Sequence, residues 1–336
     1  MTDRIHAQFT HRPSTLRLSC VNPNLQNIEK GSRFRTVFVA AKDCVLLEAD
    51  FSAIEAVLTG WCVGDKDFIR LAKLGIHDYH GAAVFGRYHD LSLPDIELGR
   101  LLAQEKEILG TQRDKSKRTI YGTLYGMSAP GLHKTYPELF PSVKLAAENQ
   151  ELLHRLLPKL KEWQNATRLE AAKKNYLGGA NHPFHYKHWF WDVFSYDKTG
   201  AMKLGADSKR VVAYYPQSIA AGIIKESALR LVEQGPYYIG DWFFGKTPIR
   251  ALIHDSIVLE IPKNLLDRAL EKIVGAMTMP NPQLPCPAEW GIGTHLSIGV
   301  AVKVGEDWKN MSKVGLPEIG TASETAVVIE EEGQEI

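Results

Sequence analysis

Four side chains between residues 113 and 125 fall at a constant interval of four: Arg113, Lys117, Tyr121 and Tyr125. On an α-helix that interval drifts by about 40° per step, so the four form one slanting stripe. Two cations lead and two aromatic rings follow, which is how a helix presents a triphosphate clamp beside a flat stacking surface. By composition alone a Lys/Arg-rich helix is a solvated face; the register of the stripe argues for more. Two acids stand out elsewhere. Asp50 ends an apolar strand (residues 45–47 at its centre) and precedes a helix whose start is marked by Ser52 and, three residues on, Glu55. That capping box accounts for Ser52 and Glu55 and leaves Asp50 unexplained. Asp255 lies in His254-Asp255-Ser256, a polar triplet between two apolar arms over residues 249–262, which reads as a β-hairpin with the triplet at its turn.

The elements that must position these residues are legible in outline. The chain has 336 residues, 44% apolar and 24% charged, enough for a large core and one or two domains. No apolar run reaches the ~18–20 residues that span a bilayer, and the N-terminal stretch has no apolar region of the kind a secretory signal needs. Cys20, Cys44, Cys62 and Cys286 lie far apart with no CxxC pair, which argues against a zinc site and predicts reduced thiols in a cytoplasm. Net charge is +1, but no Lys or Arg follows Lys313, whereas six Glu do. Taking those six from 39 acids leaves 33 against 40 cations, or +7 on residues 1–313. The body is basic, as backbone binding to nucleic acid permits, and residues 313–336 are predicted to be a disordered acidic tail.

In chain order, an irregular basic loop (17–40) turns at Asn22-Pro23-Asn24, flanked by Arg17, Arg33 and Arg35. Residues 65–111 read as mostly helical, and the stripe helix follows at about 112–126. A segment broken by Pro130, Pro137 and Pro141 leads to a long amphipathic pattern over 143–174, a packing face. Residues 175–210 are aromatic-rich and punctuated by Gly. They fit either a platform that stacks single-stranded template or a hairpin with its own small core. A strong helix covers 214–234 with Pro216 near its start and Gln217 in its first turn. A helix at about 263–279 and strands near 294–304 complete the pattern.

The ordered motifs resemble those of family A DNA polymerases, the bacterial DNA polymerase I family, over about residues 14–312. The stripe, closed by Tyr125-Gly126, is similar to the nucleotide-binding fingers helix. RLSCVNPNLQNIE resembles RLSSxxPNLQNIP, DFSAIE resembles DYSQIE, His254-Asp255-Ser256 resembles HDE, and VKVGEDW resembles the family's C-terminal strand. HDYHGAAVFG (77–86) is similar to a region whose His contacts the incoming phosphates, and His80 is the position matched to it. The resemblance implies an α+β fold, an antiparallel palm sheet with helices plus mainly α-helical fingers. Residues 1–64 would be the first part of the palm, 65–140 the fingers and 141–312 the second part of the palm.

It also implies roles. Asp50 and Asp255, with the Phe51 carbonyl, would hold two divalent cations, for which oxygen-only ligands favour magnesium, with manganese able to substitute. Arg113, Lys117 and His80 would neutralise the triphosphate, Tyr121 would stack on the incoming base with Tyr125 beside it, and Glu55 would exclude a 2′-hydroxyl. Arg17, Gln217 and His254 would contact primer and template. Ala53 and Ser256 depart from the family's Gln and acid. The expected activity is template-directed addition of deoxynucleoside triphosphates to a primer 3′-hydroxyl, in a phage-like context. The family's thumb and exonuclease-like domain precede the RLSS signature, where this sequence has about 16 residues. The expectation is therefore a split polymerase whose partner supplies the thumb, or a truncated form. A single-subunit RNA polymerase is disfavoured by Glu55. A catalytically inactive DNA-binding or assembly subunit is the non-enzymatic alternative.

Overall fold

The computed structural model describes residues 4–10, 13, 15–240 and 247–315. The predicted acidic tail therefore lies, but for its first residues, outside the described residues. Strands β1 (Gln8–Thr10) and β2 (Ser19–Val21) pair antiparallel, and β3 (Cys44–Phe51) leads into helix α1 (Ile54–Val63). Helices α2 (Lys66–Leu74), α3 (Ile76–Val84), α4 (Asp95–Leu109), α5 (Gln112–Leu124), α6 (Ala129–Thr135), α7 (Val143–Leu156) and α8 (Pro158–Lys174) follow. Two hairpins come next, β4 (Tyr176–Gly178) with β5 (Lys187–Trp189) and β6 (Phe194–Tyr196) with β7 (Met202–Leu204). Helix α9 (Ser208–Val232), strands β8 (Ile249–Ile253) and β9 (Ser256–Pro262), helix α10 (Leu266–Thr278) and strands β10 (Val300–Gly305) and β11 (Ser312–Lys313) end the chain's described elements. The fold is α+β, as expected.

Two compact units divide these elements, one formed by the described residues up to Ile54 and from Ala220 onward, the other by Glu55–Ile219. The second unit takes in residues 141–219, which the sequence pattern groups with the later palm segment.

The first unit is built on a five-stranded antiparallel sheet ordered β11-β10-β3-β9-β8. Strand β3 is central, flanked on both edges, so its residues 44–49 are all buried and read as a nearly continuous apolar run. Helix α10 packs against β3, β9 and β10 through Ala269, Leu270, Ile273, Val274 and Met277, a stripe at helical spacing. A second cluster gathers Cys20, Leu25, Leu46, Ala251, Ile253, Val258 and Trp308. Glu48, buried within β3, accepts the Trp308 indole N–H at 2.7 Å, and the Arg35 guanidinium lies 4.1 Å over the Trp308 ring. Arg35 also donates to the Ile28 carbonyl at 2.9 Å. Of the three arginines flanking the basic loop, Arg35 is thus a core cation.

In the second unit α3 packs against α4, α5 and α7, and α6 against α7. Asp65 caps α2 by accepting from the amides of Asp67 and Phe68, and Ser142 caps α7 through the amide of Leu145. The predicted long helix over 143–174 is two helices. Leu157, at φ −129°, breaks the run because Pro158 disfavours helical backbone in the residue before it. Pro130, expected to break a helix, opens α6 instead, where its missing N–H costs nothing. Helix α9 starts at Ser208, six residues before the expected start, so Pro216 is internal and Gln217 sits mid-helix. Residues 175–210 put Leu177, Phe190 and Val193 into a small core shared with Ala171 of α8 and with Val211 and Tyr214 of α9.

Candidate active site

In the first unit the β8–β9 hairpin places His254 and Asp255 at its two-residue turn, with His254 in the left-handed region at φ +53°. The β3–β9 ladder ends with Asp50 opposite Ser256, and the Phe51 amide donates to the Asp255 carbonyl at 3.2 Å. The two acids that stand far apart in sequence are therefore held at one end of adjacent strands. Arg17 donates to Asp255 Oδ1 at 3.4 Å, and Lys30 Nζ lies 3.9 Å from Asp50 Oδ2. Burial pushes the Asp50 carboxyl up, to about 6; Lys30 opposes the rise, and the nearby charges of Asp255 and Glu48 add to it. Ser256, where the family resemblance leads one to expect an acid, is buried, and its hydroxyl donates to the Ile253 carbonyl at 3.0 Å. It closes the turn from within.

Gln26 ties the basic loop to this hairpin. Its side-chain amide donates to the carbonyls of Leu18 and Leu252, both at 3.1 Å, and its own carbonyl lies 3.1 Å from His254 Nε2. Sequence reasoning names neither Gln26 nor Lys30 as functional. The signal is present in NLQNIEK, where a Gln and a Lys follow the turn that the loop is built around.

In the second unit α5 carries the stripe as expected. Tyr121 and Tyr125 stack with centroids 6.3 Å apart at 21°. Gly126 follows in the left-handed region at φ +68°, and Met127 donates back to the Gly122 carbonyl at 2.7 Å, so the Tyr-Gly pair ends the helix. A Cβ on Gly126 would also come within 2.9 Å of Val212. Lys117 is half-buried and has no hydrogen-bond or ion-pair partner among the described residues. Arg113 is engaged by Asp78 through both carboxylate oxygens, Nη2 to Oδ2 at 3.1 Å and Nε to Oδ1.

The assignment of His80 to the phosphates needs correction. His80 is fully buried, with Nδ1 2.9 Å from Ser116 Oγ and Nε2 3.2 Å from the Asn149 carbonyl, so both ring nitrogens are engaged within the unit. His77 is the histidine beside the stripe. Its ring lies 5.2 Å from that of Tyr121, and burial together with Arg113, Lys117 and His80 pushes its pKa down to about 3. Its Nδ1 is buried without a hydrogen-bond partner among the described residues. Glu55 is buried in the first turn of α1, and its carbonyl accepts from the Thr59 hydroxyl at 2.7 Å.

The described residues contain no cluster of three or more His, Cys, Asp or Glu able to hold a metal, and no helix long and apolar enough to cross a membrane. The donor set at Asp50 and Asp255 is nonetheless all oxygen, and the penalty on ionised Asp50, chiefly from burial with the charges of Asp255 and Glu48 adding to it, is what a hard cation would offset.

Comparison with known proteins agrees with this architecture. The family model for DNA polymerase family A matches residues 1–310. DNA polymerase I of Pseudomonas aeruginosa is 28% identical over 308 residues, covering 88% of this chain and 30% of that protein. The thermostable DNA polymerase I of Thermus filiformis is 29% identical over 305 residues, covering 87% of this chain and 32% of that protein. Among solved structures, the POL domain of Pol1 from M. smegmatis, in complex with DNA primer-template and dNTP, superposes with a TM-score of 0.66 at 21% identity. That match covers 91% of this chain and 48% of the other. The chain thus belongs to DNA polymerase family A, and it spans about a third of the length of the curated relatives it matches.

Proposed function

We propose that this chain is a template-directed DNA polymerase that adds deoxynucleoside triphosphates to a primer 3′-hydroxyl, its first unit serving as palm and its second as fingers. The observation that carries this reading is the placing of Asp50 and Asp255 together by the β3–β9 ladder and the Phe51-to-Asp255 backbone bond. Asp50, Asp255 and the Phe51 carbonyl would hold divalent cations, magnesium with manganese able to substitute. Bound there, the ions would supply activation of the primer hydroxyl and neutralisation of the leaving pyrophosphate.

The protein's own groups do the rest. Lys117 and Arg113 would pair with the triphosphate, Arg113 from the orientation that Asp78 gives it. His77, neutral at working pH, would donate to the phosphates without adding charge. Tyr121 would stack on the incoming base, and Glu55 would exclude a 2′-hydroxyl. Arg17 and His254 would meet the primer end, with Gln217 toward the template. A partner bearing a thumb would add grip on the duplex.

The test is extension of a labelled primer on a short template with magnesium. The proposal expects incorporation that follows the template and discriminates against ribonucleotides. Binding of primed DNA without incorporation under magnesium or manganese would favour the inactive-subunit reading. Ser256 in place of the expected acid is the observation that keeps this reading in view.

A further inference from the structure

Strand β5 and the residue pair after it alternate in a way that leaves costly surface in water. His188 and Phe190 turn inward, and Phe190 is 1% exposed and packs edge-on to Tyr214 at 5.7 Å. Trp189 and Trp191 turn outward, 47% and 74% exposed. Their rings stack nearly parallel, 4° apart, with centroids 5.7 Å apart, so the two indoles form one parallel stack with its rings largely in water. A lone exposed apolar side chain is ordinary, but two parallel tryptophans left outside a strand whose other face supplies the core are not.

The platform is braced. Lys187 Nζ sits 3.9 Å from the Tyr176 ring centroid and 4.3 Å from that of Trp189, and Tyr176 meets Trp189 edge-on at 5.2 Å. The Trp191 amide donates to Asp207 Oδ2 at 3.0 Å, which fixes the strand's exit. Rings held in advance lose little freedom when a ligand stacks on them.

The charges around the platform are positive on balance. Residues 187–210 contain five cations, Lys187, Lys198, Lys203, Lys209 and Arg210, against three acids. All three acids bind local backbone amides: Asp192 accepts from Ala206, Asp197 from Thr199 and Ala201, and Asp207 from Trp191 and Asp192. Lys198 and Lys203, on the neighbouring β6–β7 hairpin and its turn, are exposed without an ion-pair partner among the described residues. Exposed parallel aromatics with uncompensated lysines match the two needs of a single strand, π-faces for bases and cations for phosphates. A paired duplex has its bases stacked on one another and offers no such faces.

We propose that Trp189 and Trp191, with Lys198 and Lys203, form a binding site for single-stranded DNA on the second unit. The inference rests on the polymerase reading only for the choice of DNA as the ligand.

The test is fluorescence anisotropy of a labelled oligo(dT) of about 12 nucleotides, titrated with the full chain in the absence of metal and nucleotide. Trp191→Ala is expected to weaken binding roughly 5- to 150-fold, the range covered by stacking of one base. Trp191→Phe should retain most of the affinity, and blunt duplex binding should be unchanged in both. Lys198→Gln with Lys203→Gln should reduce the salt slope by about 0.7 for each phosphate that the lysines no longer neutralise, a readout that stands even if the tryptophan variant folds poorly. Wild-type affinity in Trp191→Ala, an equal loss on blunt duplex, an unchanged salt slope, or no binding of oligo(dT) by wild type would each overturn the site. A wild type that binds oligo(dT) but never extends a primer sinks the polymerase reading alone. One that extends primers while Trp191→Ala binds oligo(dT) unchanged sinks this inference alone.

Discussion

Phe51 and Asp255 are joined by a backbone hydrogen bond of 3.2 Å, one step beyond the point where the β3–β9 ladder ends at Asp50 and Ser256. The bond fastens a two-residue turn that would otherwise be free to rock on the end of its hairpin. It leaves the Asp255 side chain to Arg17 and sets the turn beside Asp50. The geometry of the two acids is therefore a property of backbone pairing, which substitutions at either side chain should leave intact.

The same turn is held from the other side by Gln26. Replacing it with Ala leaves the Leu18 and Leu252 carbonyls without their donor, which should lower unfolding free energy by roughly 1–3 kcal/mol. Urea denaturation checks this, and an unchanged midpoint would show that the loop does not depend on Gln26.

His77 and His80 should separate by readout. His77→Ala removes a buried group beside Tyr121 and Lys117 and should raise the nucleotide KM on the order of tenfold, the size of one charge-assisted hydrogen bond. His80→Ala strips a partner from Ser116 and from the Asn149 carbonyl and should instead cost roughly 1–3 kcal/mol of stability. A KM effect confined to His80→Ala would restore the sequence-based assignment.

Tyr121 bears on sugar selection. The family resemblance implies that Tyr rather than Phe at the stacking position relaxes rejection of dideoxynucleotides, so Tyr121→Phe is expected to sharpen discrimination. Chain-termination assays on the two proteins compare them directly, and equal discrimination would remove Tyr121 from that role.

Glu260 supplies a pH dependence. It is buried in β9; burial pushes its carboxyl up, but the Ala41 amide, Arg250 and Arg4 outweigh that and leave it below the usual carboxylate range. A folded pKa below the unfolded value of about 4.3 means the cluster's stabilisation is complete above that value. It is lost as pH falls through the folded pKa. Glu260→Gln should cost roughly 1–3 kcal/mol at neutral pH, Arg4 being half exposed, and should flatten the acid limb of the stability profile. An acid limb as steep as the wild type's would place its origin elsewhere.

Much of this can be read from spacing. The stripe on α5 and the hairpin around Asp255 follow from helical period and from apolar arms flanking a polar turn, signals local in sequence. What escapes is set by tertiary neighbours. His77 and His80 lie on one helix three residues apart, and nothing in their own positions says which faces Tyr121 and which faces Asn149. Arg35 has the look of surface charge beside Arg33, but stacking on Trp308, 273 positions later, draws it inward. Pro216 suggests a helix start because an internal proline forfeits a hydrogen bond; buried neighbours such as Val211, Val212 and Tyr214 outweigh that loss.

The most direct test of the central claim is single-nucleotide incorporation into a primed template with magnesium, measured for wild type beside Asp50→Ala and Asp255→Ala. Each variant should keep the wild-type circular dichroism and its affinity for primed DNA. Wild type should incorporate the templated deoxynucleotide, and each variant should lose incorporation by a factor on the order of a thousand or more, as expected when a metal-holding carboxylate is removed. Incorporation at the wild-type rate by either folded variant would contradict the assignment of Asp50 and Asp255 as the centre of the chemistry.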